Sequence, residues 1–284
     1  MPNLVDLVQI IPPDLEEEPE DIFASAPGFL FPDDLRNQHG DPGSTIIYRS
    51  NRFGNLELKT ADPESENERR LFSHYLWNAG LKMAELISIE DGGAETWSVK
   101  GETVLELGAG VGLGGIVATL AGAAEVVISD YPSPTVLSNI ARNAEKCIPK
   151  HLSAGICRIE GHEWGNFETS FAIANKCHFS RVIAADCFWM IEQHVSLVKS
   201  MLHFLSLRPD ATVFAIAGFH TGRAKLAAFF DVAIQEGLRI EEIYEENNEG
   251  QRRQWLSKRD GGLEDHTERK KWLALARLKR NIVQ

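Results

Sequence analysis

Cysteine is scarce. The chain has four in 284 residues (Cys147, Cys157, Cys177 and Cys187), and none forms a Cys-x-x-Cys pair or a zinc-ligand spacing. That excludes a disulfide framework and a structural zinc site, and the expectation is reduced, buried thiols and no metal. Long hydrophobic runs are absent as well; nothing approaches the roughly 18–20 uninterrupted apolar residues of a membrane helix. Met1-Pro2-Asn3 is not followed by a basic stretch and an apolar run, so the reading is no signal peptide, no membrane partner and a cytoplasmic protein. Positive charge is the minority: 29 Lys and Arg against 41 Asp and Glu, a net charge of −12. No basic stripe is available for phosphates, which argues against nucleic acid as a partner. There is no internal repeat, and a monomer is expected.

What is present begins with lopsided charge. Residues 1–42 hold ten acids and one base, Arg36, a net −9 that leaves −3 for the other 242 residues. With Pro12, Pro13 and Pro19 in it, this stretch is expected to be an acidic, flexible extension over 1–43, ahead of one domain over 44–284. It is either a solvated leader or an electrostatic lure for a basic partner. The chain is 43% hydrophobic, enough for one full-size core.

Ser44–Ser50 and Asn55–Thr60 read as a hairpin, and a helix is expected from Asp62-Pro63, carrying Leu71, Tyr75, Leu76, Ala79, Met83 and Leu86 at helical spacing. Strands and helices then alternate: strand Thr103–Leu107, helix Leu113–Leu120, strand Glu125–Ser129, helix Pro134–Lys146, and strands Ile156–Glu160 and Arg181–Ala185. Helix Gln193–Leu207, strand Thr212–Ala217, helix Arg223–Glu236, and strands Arg239–Tyr244 and Trp272–Leu278 complete the pattern. Alternation implies an α/β fold with a mostly parallel sheet and helices on both faces. The last two strands have no helix between them, which predicts an antiparallel pair at the sheet edge.

The central motif is Val104-Leu105-Glu106-Leu107-Gly108-Ala109-Gly110-Val111-Gly112-Leu113-Gly114-Gly115, a strand running through glycines into a helix. Glycines let backbone approach a ligand, and the helix N-terminus offers free N–H groups. Gly110, Gly112 and Gly115 also fit the dinucleotide fingerprint, so the glycines alone would suit a nicotinamide cofactor. Asp130, at the end of the second strand, can accept ribose hydroxyls of either cofactor. Glu106 discriminates: an acid inside the first strand suits a cationic ligand end, such as the amino group of S-adenosylmethionine, and has no use beside a pyrophosphate.

Four blocks in order resemble the family-16 seven-β-strand methyltransferases. They are His74–Gly80, Glu106–Gly115, Ile128–Pro132 and Glu160–Gly165. The Leu76-Trp77-Asn78-Ala79-Gly80 and Ser129-Asp130-Tyr131-Pro132 blocks look most like the fungal branch. Its members are named nicotinamide N-methyltransferase-like, and one type modifies the N-terminus and adjacent lysine of translation elongation factor 1-alpha. The resemblance, over about residues 45–280, implies a Rossmann-like class I fold with a seven-stranded sheet and S-adenosylmethionine as cofactor. It places Trp77, Glu106, Gly108, Gly110, Gly112, Asp130 and Trp164 at the cofactor, and Tyr131 and Ala185 join that set. Asp186-Cys187-Phe188-Trp189 stands where lysine-methylating members carry Asp-x-x-Tyr, with Trp189 in the place of the tyrosine.

Asp186, Phe188 and Trp189 are therefore the expected catalytic residues: Asp186 to hold the incoming amine, the aromatics to wall it in. The bland alternative is that Asp186 caps the following helix. His220, after the fifth strand, either touches substrate or is merely solvated, and Asn247–Lys270 is either a lid or a charged surface loop. The acceptor is expected to be a protein amine, with a small heteroaromatic such as nicotinamide as the alternative. A non-catalytic cofactor-binding module and a nicotinamide-dependent oxidoreductase are the rivals from other classes; the second lacks a Tyr-x-x-x-Lys pair.

Overall fold

A computed structural model describes residues 3–13, 37–63, 65, 68, 72–73, 75–89, 97–153 and 156–281. A small sheet comes first. Strand β1 (Val8–Ile11) pairs antiparallel with β3 (Thr45–Ser50), which forms the expected hairpin with β4 (Gly54–Lys59). Between β1 and β3, strand β2 (Gln38–His39) pairs with β5 (Leu76–Trp77), just ahead of helix α1 (Asn78–Ile87). The main sheet uses β6 (Thr103–Leu107), β7 (Glu125–Asp130), β8 (Cys157–Gly161), β9 (Arg181–Ala185) and β10 (Thr212–Gly218), all parallel. β11 (Leu238–Asn247), β12 (Arg252–Gln254) and β13 (Trp272–Arg280) complete it antiparallel, in the order β12-β11-β13-β10-β9-β6-β7-β8. The helices that pack on this sheet are α1, α2 (Leu113–Leu120) and α3 (Pro134–Cys147) on one face, α6 (His194–Phe204) and α7 (Arg223–Glu236) on the other. Short helices α4 (Lys150–Ser153), α5 (Ser170–Ala174) and α8 (His266–Lys270) lie in the connections. This is the Rossmann-like α/β fold.

The strand periodicity explains the two cores. Val104, Val126, Ile128, Ile183, Phe214 and Ile216 face the layer of α1–α3. Their neighbours Leu105, Val127, Val182, Ala184, Val213 and Ala215 face α6 and α7. Strands buried on both faces read as continuous apolar runs, and each fully buried branched side chain contributes about 1.5–3 kcal/mol. The chain runs β6 to β7 to β8 in one direction from the centre, then β9 to β10 in the other. That reversal opens a crevice at the carboxyl ends of β6 and β9, where open α/β sheets bind ligands.

Three expectations are corrected. The stretch over 1–43 is not a free extension throughout: Leu4 and Leu7 are buried, the Leu4 N–H donates to the Asn248 carbonyl, and β1 pairs with β3. The alternation Leu4, Leu7, Val8, Ile10 supplies an apolar edge that the proline and acid content obscured. Residues 14–36, which carry most of the acids, lie outside the described residues. The helix expected from Asp62 does not run unbroken to Leu86: Leu76 and Trp77 are drawn into extended pairing with Gln38 and His39, α1 begins at Asn78, and His39 Nε2 lies 2.7 Å from Asn78 Oδ1. Leu71 and His74 lie outside the described residues. The main sheet has an eighth strand, β12, formed within the segment read as lid or surface loop.

That segment is held by charge. Arg223, at the start of α7, donates through Nε and Nη2 to Glu264 at 2.8 and 2.7 Å and through Nη1 and Nη2 to Glu245 at 2.5 and 3.1 Å. Arg253 Nε reaches Glu245 at 2.7 Å, and Trp255 stacks on Phe219 with ring centroids 6.0 Å apart. Glu245 is fully buried, so removing its partner strands a carboxylate away from water. Arg223→Met is expected to lower the unfolding free energy by about 3 kcal/mol, the usual cost of breaking a buried pair. Urea denaturation measures it, and a loss under about 1 kcal/mol would mean that Arg253 and Arg259 already satisfy both acids.

Candidate active site

One cleft at the carboxyl ends of β6, β7 and β9 gathers Trp77, Glu106, Gly108, Gly110, Asp130, Tyr131, Trp164, Ala185, Asp186 and Trp189. Phe72, Tyr75, His162, Cys187, Met190 and Gln193 line it as well. Gly112 and Phe188 do not.

The floor is the glycine loop, and two buried acids set its shape. Glu106 Oε2 accepts the Gly115 N–H at 2.8 Å, at the first turn of α2. This close approach is possible because the helix has no side chains there: a Cβ on Gly114 would lie 2.4 Å from Glu106 Oε1. Asp130 Oδ2 accepts the Gly110 N–H at 2.8 Å, and Oδ1 accepts its neighbour's, Tyr131, at 2.7 Å. Burial pushes the Glu106 carboxyl up to about 8, opposed by the Gly115 N–H and reinforced by the charge of Asp130. Burial likewise raises Asp130 to about 6 against its two backbone donors. Gly108 keeps the floor open, since a Cβ there would lie 2.7 Å from Cys187 Sγ and 3.1 Å from Trp164. Gly112 has φ +82° and is the residue from which α2 starts; its Cβ position faces Ile140, so it serves the turn into the helix and not the cleft wall.

The walls are aromatic. The Trp77 indole N–H donates to the Phe72 carbonyl at 3.3 Å, and its ring lies tilted on His220 with centroids 4.8 Å apart. Trp164 rides on a turn tied down by Ser200, whose hydroxyl oxygen accepts the Gly165 N–H at 2.9 Å and lies 3.0 Å from His162 Nε2. Burial pushes His162 down to about 4, so its ring is neutral at physiological pH.

The other side of the cleft lies beyond β9. Asp186 has φ +60°, a left-handed conformation that aspartate tolerates better than most residues. Its Oδ1 accepts the Gly218 N–H at 3.0 Å and lies 3.0 Å from His220 Nε2. Its Oδ2 is buried and finds no hydrogen-bond partner among the described residues. The helix-capping alternative is therefore overturned: the carboxylate is tied to the end of β10, and α6 begins without a side-chain cap. Trp189 faces the cleft, its ring edge-on to Phe72 with centroids 5.5 Å apart. Phe188 does not join that wall. It is buried, and its ring stacks on Phe229 of α7 at 3.8 Å. Phe72 takes its place. Sequence reasoning missed Phe72 because the segment was read as helix with Leu71 and Tyr75, not Phe72, on its apolar face, and missed His162 although it stands inside the Glu160–Gly165 block.

The comparisons with known proteins agree with this geometry. The lysine methyltransferase family matches residues 63–233. The chain is 33% identical over 184 residues to the protein N-terminal and lysine N-methyltransferase efm7 of Schizosaccharomyces pombe, covering 62% of this chain and 68% of that one. It is 29% identical over 257 residues to the protein of that name from Yarrowia lipolytica, covering 79% and 89%. Among solved structures, a methyltransferase from Pyrococcus horikoshii superposes with a TM-score of 0.52 at 14% identity, covering 79% of this chain and 93% of that one. The chain belongs to the lysine methyltransferase family. It is an S-adenosylmethionine-dependent methyltransferase of the Rossmann-like class.

The raised Glu106 carboxyl has a consequence for stability. The folded protein holds a proton there up to about pH 8, whereas the unfolded chain releases it near 4.5. The stabilisation is complete below the unfolded value and lost as pH rises through the folded one. Between about pH 6 and about pH 8 the ligand-free protein should lose about 2 kcal/mol from this group. Glu106→Gln cannot ionise, so its denaturation midpoint should fall less over that window; parallel curves for the two proteins would show that Glu106 titrates normally.

Proposed function

We propose that the protein methylates an amine nitrogen of a protein, a lysine or an N-terminal amine, using S-adenosylmethionine held by Glu106, Asp130, Trp77, Trp164, Tyr131, Ala185 and the Gly108–Gly110 loop. The observation that carries the acceptor half is the buried Asp186 carboxylate. One oxygen is committed within the fold, the other is unpartnered among the described residues, and the group lines the same cleft as Glu106 and Asp130. The names of the relatives, protein N-terminal and lysine N-methyltransferase, support the same acceptor chemistry.

The residues fit the cofactor. Two carboxylates stand at the strand ends, a glycine-rich floor with no room for a Cβ at Gly108 or Gly110 runs between them, and indole rings flank it. Glu106 suits an ammonium group, which by its charge would draw the Glu106 proton off and restore the carboxylate. Asp130 keeps lone pairs for ribose hydroxyls.

S-adenosylmethionine supplies a methyl already activated by its sulfonium. The protein's part is alignment. Asp186 Oδ2 accepts one N–H of the incoming amine and leaves the nitrogen lone pair free for in-line displacement, with reacting atoms roughly 3 Å apart at attack. An ammonium cannot react, and a lysine's ordinary pKa is about 10.4, so apolar surroundings and the sulfonium charge must favour the neutral form. Phe72 and Trp189 provide those surroundings and an attractive face for a cationic or methylated nitrogen. Of the transferred groups, the methyl goes to nitrogen and the sulfur keeps its bonding pair. The product amine leaves as an ammonium.

The test uses tritiated S-adenosylmethionine with a basic protein carrying a free N-terminus and an adjacent lysine, such as elongation factor 1-alpha. The expected outcome is label in the protein band, reduced by about 100-fold or more in Asp186→Ala through loss of an aligning hydrogen bond to a charged group. Label in free nicotinamide with no protein band would replace the acceptor with a small flat heteroaromatic stacked on Trp189.

A further inference from the structure

His220 has no part in the alignment described above and does not line the cleft, yet it is fixed from three directions. Its Nε2 lies 3.0 Å from Asp186 Oδ1. Its ring lies on Trp77 at 4.8 Å, with the planes 32° apart. It folds back over the end of β10, where a Cβ on Gly218 would come within 2.7 Å of both Nδ1 and Cε1, so the ring takes up the space that a side chain at 218 would need. The turn that carries it is itself anchored. The Gly222 N–H closes on the Phe219 carbonyl at 3.0 Å, and buried Phe219 lies under the Arg223 guanidinium, 4.2 Å from the ring centroid. A solvated loop histidine would show none of this.

The carboxylate at the other end of the contact is asymmetric. Oδ1 is occupied twice, by His220 and by the Gly218 N–H, while Oδ2 is buried without a partner among the described residues. A carboxylate free to rotate would exchange its oxygens, and the acceptor nitrogen would meet a moving target. We propose that His220 is the positioning residue of the acceptor site: it pins Asp186 Oδ1 so that Oδ2 alone is offered, in one orientation, to the amine being methylated. The proposal rests on the reading of Asp186 as the amine-holding group. The electrostatics are consistent with it. Burial works against a charge on His220, but the adjacent Asp186 outweighs burial and raises the ring above its ordinary pKa.

Two substitutions separate the ring from its donor. His220→Phe keeps an aromatic face against Trp77 and loses the N–H; His220→Gln loses the ring and keeps an N–H donor. Measurements are kcat and KM for the amine acceptor, with calorimetric affinity for S-adenosylhomocysteine as the check on folding and on the cofactor half. For H220F, kcat should fall roughly 10- to 100-fold, with acceptor KM and S-adenosylhomocysteine affinity within about threefold of wild type. H220Q should recover kcat to within about fivefold of wild type. If H220F fails to bind S-adenosylhomocysteine, H220A takes its place in the comparison with the same expectation. An H220F or H220A enzyme with wild-type kcat, or an H220Q enzyme as slow as H220F, overturns the positioning role. Asp186→Ala run alongside distinguishes the two levels: full activity there removes the reading of Asp186 itself, whereas a dead Asp186→Ala beside a fully active H220F removes only the part assigned to His220.

Discussion

Two carboxylates buried at the ends of adjacent central strands are the constraint on which the rest of the site depends. Removing an acid from water is costly unless donors replace the lost hydration. Glu106 finds its donors at the first turn of α2, and Asp130 in the Gly110 and Tyr131 N–H groups. The glycine loop is therefore not a floppy linker awaiting a ligand. Each end is hydrogen-bonded to a strand acid, and the positive end of α2 points at Glu106. The absence of side chains at Gly114 and Gly115 follows from the same contact, because a Cβ at either position would collide with Glu106 or Ile128. The arrangement leaves both acids short of compensation, and their raised pKa values measure the shortfall. A site that is electrostatically unsatisfied when empty is one that a cation with hydroxyl groups completes.

Across the cleft the logic is different. Asp186 belongs to the loop after β9, Trp77 to the approach to α1, His220 to the turn after β10, and Phe72 to the segment before Tyr75. No single element places them. They are brought together by the packing of the loops on one another, and those loops are in turn fixed by buried charge. Arg223, in the first turn of α7, reaches Glu245 at the end of β11 and Glu264 in the following insertion, and its guanidinium lies over Phe219, next to His220. Lys82 of α1 pairs with Glu246 of β11, which ties the helix that follows Trp77 to the same edge of the sheet. Buried pairs of this sort add little net stability over apolar packing but fix a single arrangement strongly.

This difference explains what could be read in advance. The parallel sheet, the order of strands and helices, and the glycine turn are local patterns, and α2, β9 and α7 begin and end at the residues the periodicity indicates. Glu106 and Asp130 were legible because they stand at fixed offsets from the glycines. The start of α1 was not, because a two-residue pairing with Gln38 and His39, some forty positions away, overrides helical spacing at Leu76 and Trp77. Nor was the docking of Leu4 and Leu7, whose partners lie on α1 and beside Asn248. Phe188 shows the limit most plainly. Adjacent to Trp189 in sequence, it belongs to a different layer of the structure, packed on Phe229 while Trp189 lines the cleft.

The two halves of the cleft are not independent, and Trp77 is where they meet. One indole lines the cleft beside the glycine loop while lying against His220, and His220 in turn holds Asp186. The backbone of the same segment closes the floor: a Cβ on Gly110 would lie 3.1 Å from the Ser73 carbonyl oxygen and 3.3 Å from that of Tyr75. A shift of the segment before α1 would thus disturb the glycine loop and the Asp186 carboxylate together. Methyl transfer needs the two reactants aligned at once, and alignment is lost with displacements of about 1 Å. Joining both sides through one tryptophan makes their relative placement a property of a few contacts between packed rings, which is stiffer than a placement relayed through two separate loops.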